Sequence, residues 1–126
     1  MSQSIEDIFR EYHRFDDGLL LSFEYFYRTC APLSVQIVLH SRSHIENAWR
    51  KVKIVVGDVQ ELYAKVEGNR PNSVISLGVK LIKFGDLWCI DINGNYPMLK
   101  DPSSLDEVRQ YGECYVVGRS VAAHKL

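Results

Sequence analysis

The clearest pattern of hydrophobic and polar positions lies between Val79 and Ile92, Val-Lys-Leu-Ile-Lys-Phe-Gly-Asp-Leu-Trp-Cys-Ile-Asp-Ile. Gly85-Asp86 sits near its centre as a two-residue hairpin turn, with glycine accepting the positive φ that such turns demand. Counting outward pairs Phe84 with Leu87, Lys83 with Trp88, Ile82 with Cys89, Leu81 with Ile90, Lys80 with Asp91 and Val79 with Ile92. The face holding Val79, Leu81, Ile90 and Ile92 reads as core. The opposite face reads as an ion pair of Lys80 with Asp91 beside a small apolar patch of Ile82 and Cys89. A slip of one residue would set lysines against the hydrophobic partners, so register and facing are predicted together.

The same patterning organises the rest of the chain. Ser4, with Asp7 three residues on, caps a run in which Ile5, Ile8, Phe9 and Tyr12 fall at helical spacing, which predicts a short amphipathic helix over 4–12. His13 to Gly18 breaks that pattern. From Leu19 to Tyr27 the odd positions Leu19, Leu21, Phe23, Tyr25 and Tyr27 alternate with polar Ser22 and Glu24, the signature of a half-buried antiparallel strand. After a turn at 29–32, Val35, Ile37 and Leu39 define a second strand, and Val52, Ile54 and Val56 define a third over 48–56, so that the three form a meander.

Asp58 with Glu61, then Val59, Leu62, Tyr63 and Val66 at i, i+3, i+4 and i+7 with Gly68 beyond, predict a helix over 59–67. A bulged strand is the competing reading, because valine and tyrosine also favour strands. Residues 69–72 read as a loop, and 93–97 as turn chemistry. Asp101-Pro102 opens a helix over about 102–111 that Gly112 ends, the last strand covers about 113–117, and the tail 122–126 reads as loose. The expected architecture is one α+β domain over 1–126, with an antiparallel sheet of five or six strands spanning about 19–92 and closed by the last strand, and two or three short helices.

Composition narrows the function classes. The chain has 126 residues, 46% hydrophobic and 25% charged, which suits one core, and a net charge of −1 supplies no general basic field for nucleic acid. The N-terminal residues lack the basic start and apolar run of a secretory signal, and no segment approaches the roughly 20 apolar residues of a membrane helix, so a cytoplasmic protein is expected. Three cysteines, Cys30, Cys89 and Cys114, are odd in number and widely spaced, with no CxxC pair. That spacing argues against a disulfide framework or a thiolate zinc site, and no cofactor or metal is implied.

His13, Asp16 and Asp17 form the best charged cluster. A His-x-x-Asp-Asp group at a helix–strand junction can act as an acid–base pair or contribute metal ligands in a pocket between sheet and helices, although no further His/Asp spacing completes a metal site. The simpler reading is a solvated connection in which an aspartate makes a turn hydrogen bond. His40 and His44 are four apart but lie at a strand end and in a loop, without helical geometry to unite them. Cys89 and Cys114 fall inside strands and read as small buried hydrophobes, leaving Cys30 in the turn as the one candidate reactive thiol. No GxSxG, phosphate loop or dinucleotide fingerprint occurs.

Aromatic residues are abundant in the first quarter of the chain, and a one-sided core cannot bury all of them. Either the aromatics fill a second layer under the helices, or Tyr25, Tyr27 and Trp49 stand as anchors for a protein partner, with Asp16, Asp17, Glu24 and Glu46 as complements to a basic surface.

The stretch His13-Arg14-Phe15-Asp16-Asp17-Gly18-Leu19-Leu20, with the later Trp49-Arg50-Lys51-Val52-Lys53-Ile54-Val55-Val56-Gly57-Asp58-Val59, resembles a class of small bacterial α+β proteins. Some members of such families look like immunity proteins of polymorphic toxin systems. The resemblance covers the first half and carries over no catalytic or toxin-contacting signature. What it implies is a non-catalytic cytoplasmic protein-binding module. Two alternatives stand beside it: a small enzyme or ligand-binding domain using His13, Asp16 or Asp17, and a structural homodimer through a sheet edge or the outer face of the Val79 to Ile92 hairpin.

Overall fold

The computed structural model describes residues 3–65, 68 and 74–126. Six antiparallel strands form one open sheet in the order β1-β2-β3-β6-β5-β4, giving an α+β fold. The strands are β1 (Leu19–Arg28), β2 (Ala31–Ser43), β3 (Ala48–Ala64), β4 (Val79–Phe84), β5 (Leu87–Ile92) and β6 (Cys114–Lys125). Two helices accompany them, α1 (Ile5–Glu11) and α2 (Leu105–Tyr111), with short 3-10 turns at His13–Phe15 and Pro97–Leu99.

The hairpin from Val79 to Ile92 pairs as its sequence predicts, from Phe84 with Leu87 out to Val79 with Ile92, and Gly85 takes φ 65° at the turn. The meander of β1, β2 and β3 also forms, with Ile37 between Phe23 and Ile54. Ser4 caps α1 by accepting from the Asp7 N–H.

The predicted helix over 59–67 does not form as far as Ala64, which closes a 17-residue β3. The bulged strand is correct. Val66 and Glu67, where that helix was to end, and the loop at 69–72 lie outside the described residues. The helical stripe arose from the strand itself. Val52, Ile54 and Val56 enter the main core at spacing two, but Val59 and Leu62 follow at spacing three. The left-handed Asp58 (φ 48°) and a register shift between Val59 and Glu61 supply the extra residues. An extra residue at each irregularity lets an odd step return to the same face, and two such steps imitate a helical period.

Opposite this crease β6 also changes facing, from Cys114 and Val116 to Val121 and Ala123. The backbones approach so closely that a Cβ on Gly118 would lie 2.6 Å from the Gly57 carbonyl oxygen and 2.6 Å from Val56 Cγ1. Only glycine fits there.

The expected strand end at Val117 and loose tail are likewise overturned. β6 continues to Lys125, pairing Val121 with Val56 and Lys125 with Val52, and the Leu126 N–H donates to the Lys51 carbonyl. The long β3 offers a partner for the whole tail, and Glu11 anchors it. The Glu11 side chain is fully buried, with Lys125 Nζ 2.7 Å from Oε1, Gln3 Nε2 donating to the same oxygen at 3.0 Å and Ser43 Oγ donating to Oε2. Burial pushes the Glu11 carboxyl up, but these three donors together outweigh it and hold the group below the usual carboxylate range.

The sheet serves two cores. On one face α1 and the His13–Phe15 turn cover Ile37, Leu39, Ile54, Ile90 and their neighbours. On the other, α2 covers Cys89, Tyr115 and Val117 with Val108 and Tyr96. This second core corrects the predicted outer face of the hairpin. Asp91 is fully buried there, and Lys80 bonds Asp101 at 2.9 Å instead of Asp91. Helix α2 begins three residues later than expected, at Leu105, because Ser104 rather than Asp101 is its cap. Arg109 pins α2 to β3 through Glu61 at 2.9 Å, and the Tyr115 hydroxyl donates to the same carboxylate at 2.8 Å.

Among the described residues neither Asp91 oxygen, nor the buried Tyr96 hydroxyl that faces it, makes a hydrogen bond of normal geometry. Burial pushes the Asp91 carboxyl up to about 6, against weaker opposing effects of the Tyr96 hydroxyl, Lys80 and the Gly94 N–H.

Two outcomes follow from these buried carboxylates. Asp91 takes up its proton at higher pH in the folded than in the unfolded chain, so its contribution is most favourable below about pH 4 and declines as pH rises through the folded-state value. Asp91→Asn is therefore expected to gain about 2 kcal/mol on the wild type above neutrality, and less in acid, in urea midpoints measured across pH. A difference between the two proteins that does not vary with pH would contradict this. Lys125→Met leaves the Glu11 carboxylate without its cation and is expected to lose about 1.5–3 kcal/mol in the same assay. A free tail would instead leave stability within about 0.5 kcal/mol.

Candidate functional site around the left-handed turn

Helix α1 ends at Glu11, and the chain turns through His13 (φ 48°), Arg14 (φ 54°) and Phe15 (φ 59°), three consecutive left-handed residues that are not glycine. Such backbone costs roughly 1–2 kcal/mol per residue and persists where packing over-determines it. The packing is supplied by Phe15, which is fully buried with its ring 5.1 Å edge-on from Phe9 and 5.4 Å, stacked, from Tyr12. Asp17 (φ 62°) continues the reversal and donates its N–H to the Ile75 carbonyl at 2.8 Å. A buried aromatic therefore fixes the turn and leaves His13, Arg14, Asp16 and Asp17 on the surface.

Three grooves lined by described residues flank the turn. The largest, about 580 Å³, lies between α1, the turn and β4, with Phe9 and Leu81 as its apolar floor and Arg10, His13, Arg14, Glu6 and Asp16 around it. A second, about 200 Å³, shares Arg14 and Asp16 with the first and extends to Ser76, Lys80, Tyr96 and Lys100. The third, about 370 Å³, runs past Glu11 to His13, His44 and Ile45.

The structure brings together part of the predicted cluster. His13 and Asp16 line the same 580 Å³ groove. Asp17 lines none of the three. His13 meets a partner that its sequence neighbourhood does not suggest. The imidazole of His44 stacks on it with centroids 3.5 Å apart and planes 10° from parallel. The long β2 places that loop beside α1, where the His44 N–H donates to the Glu11 carbonyl. The His44 pKa is lowered, first by desolvation and then by the neighbouring His13 and Arg42. His40 lies instead against Trp49, 5.3 Å away.

The proposed aromatic anchors do not form one patch. Tyr25 and Tyr27 are 58% and 80% exposed on β1, with rings 6.0 Å apart and nearly perpendicular. Glu24, immediately before Tyr25, is exposed on the opposite face of the strand. Trp49 is 48% exposed but pairs with Arg42, whereas Tyr25 pairs with Val35, seven residues back along β2. At the usual strand rise that separates them by about 23 Å. The expected alternation along β1 is also interrupted, since a register shift between Leu20 and Ser22 leaves Leu21 exposed while Leu20 and Phe23 pack on the core. Glu46 forms an exposed ion pair with Arg50 at 3.1 Å.

Sequence reasoning missed Arg14, Lys80 and Lys100 as a group. They come from the turn, from β4 and from the residue after the Pro97–Leu99 turn, and nothing local signals that the sheet will bring them to one cleft.

Among the described residues no group of three or more His, Cys, Asp or Glu is placed to hold a metal ion. No described helix is long and apolar enough to cross a membrane. The His13–Asp16 arrangement can donate and accept protons and hydrogen bonds across an open groove. No family model matches the sequence, and no curated protein or solved structure matches it.

The thiols provide a check on this geometry. Cys89 and Cys114 are buried, and desolvation pushes each up to about 12, whereas Cys30 is exposed at the β1–β2 turn. A thiol reagent at mildly alkaline pH is expected to modify Cys30 alone in the native protein and all three after denaturation. Rapid native labelling of Cys89 or Cys114 would mean that the sheet opens far more readily than this packing implies.

Proposed function

We propose that the protein is a non-catalytic cytoplasmic protein-binding module, of the immunity type that neutralises a cognate toxin by covering its working surface. The observation that carries this reading is the exposed pair Tyr25 and Tyr27. Two tyrosines 6.0 Å apart on the outer strand of the sheet present large amphipathic area with few rotatable bonds. They do little for the core, so their exposure costs the fold nothing that packing recovers. The only described pairing on the outer side of β1 is the bridge from Leu19 to Val74, so Tyr25 and Tyr27 lie where an extended segment of a partner can approach the strand. Glu24, exposed on the other face of the same edge strand, adds an acidic group that a basic partner wrapping the edge would meet. The reading needs no cofactor and no turnover.

A pull-down from lysate of the native host, using tagged wild type and a Tyr25→Ala/Tyr27→Ala variant, tests it by mass spectrometry and then by titration with the captured protein. The expected result is a specific protein retained by the wild type and weakened roughly 30-fold or more in the variant, on the scale of about 2 kcal/mol for each interface anchor. The variant's melting temperature should not change, because both side chains are exposed. Undiminished capture by the folded variant would overturn the reading.

A further inference from the structure

The 200 Å³ cleft beside the turn concentrates positive charge. Arg14, Lys80 and Lys100 line it together with one carboxylate, Asp16. Lys80 is the most enclosed, its side chain 12% exposed, and its ammonium is held 2.9 Å from Asp101. The Arg14 and Lys100 side chains have no ion pair or hydrogen bond with the described residues. Like charges facing one small cleft repel each other, and a cleft wall screens them less than open water does. Their backbones are not free to relieve this. Arg14 is locked by the buried Phe15, and Lys100 follows the left-handed Met98 and Leu99 (φ 60° and 56°). Ser76 stands on the same wall and can supply a neutral hydroxyl donor.

The cleft is smaller than a usual ligand pocket of about 300–1,000 Å³. It is not isolated, because Arg14 and Asp16 are shared with the 580 Å³ groove whose floor is Phe9 and Leu81. A cationic end thus adjoins an apolar trough. We propose that this composite site binds a small organic acid, its oxyanion head among Arg14, Lys80 and Lys100 and its apolar body over Phe9 and Leu81. The shared chemistry is the oxyanion, which a carboxylate or a phosphate monoester provides. Asp16 at the junction is placed to accept a hydrogen bond from a donor beside the head. The site lies at α1 and β4, on the far side of the sheet order from Tyr25 and Tyr27, and does not depend on the protein-binding reading.

Calorimetric titration with phenyl phosphate, phenylacetate and inorganic phosphate tests the proposal. One of the two aromatic acids is expected to bind about tenfold or more tightly than inorganic phosphate, and the preferred one identifies the head as phosphate or carboxylate. Arg14→Gln and Lys100→Gln, both at exposed positions, should each weaken it about tenfold, the scale of one charge-assisted hydrogen bond. Leu81→Ala should weaken the aromatic acid while leaving inorganic phosphate unchanged, and Tyr25→Ala/Tyr27→Ala should alter neither. Absence of binding at millimolar concentration, equal affinity for inorganic phosphate, or affinity that survives both glutamine substitutions in folded protein would overturn the proposal.

Discussion

The close approach of β3 and β6 at Gly57 and Gly118 determines which side of the sheet each later residue faces. Before this crease β3 presents Val52, Ile54 and Val56 to the core under α1. Beyond it Glu61 and Tyr63 turn toward α2, while Leu62 stays with the first core. Arg119 secures the crease by spanning it, with Nε 3.3 Å from Asp58 and NH1 2.9 Å from Asp86 in the β4–β5 turn. These two pairs are half exposed, so they orient the hairpin more than they stabilise it.

The first core is closed by the ends of the chain. Glu11 at the end of α1 receives Gln3 from before the helix and Lys125 from the end of β6. A buried carboxylate with three donors is tolerated where an unpartnered one would be expelled or neutralised. Asp91 in the second core illustrates the contrast. Its two oxygens lack well-formed partners, and its pKa rises where that of Glu11 falls.

Much of the fold was legible where local chemistry and tertiary context agree. Gly85-Asp86 set the register of the hairpin, and alternation with apolar residues set the β1–β3 meander. The failures occurred where distant contacts decide. Val59 and Leu62 read as helical because the crease shifts their spacing, and nothing near Asp58 announces that Gly118 will lie against it. The tail read as loose because Val121 and Ala123 form too short an apolar pattern to stand out, and only the length of β3 gives it a partner. Lys80 and Asp91 pair across the ladder as expected, yet α2 buries the aspartate while Asp101 captures the lysine. The candidate site was legible in part. His13 and Asp16 share a groove because they flank one tight turn, whereas His44, Lys80 and Lys100 reach it through the topology of the sheet.

That topology has a consequence for the order in which the molecule assembles. The β1–β3 meander and the β4–β5 hairpin close over short turns, but β3 must find β6 with Val52 and Lys125 separated by most of the chain. Loop closure of that length precedes any reward from the contacts it brings, so non-local pairings of this kind slow the search. Two locally formed half-sheets joined last along a central seam are the natural sequence of events. The glycines at that seam then act as a kinetic gate as well as a structural joint, since the two halves can zip together only where nothing projects between them.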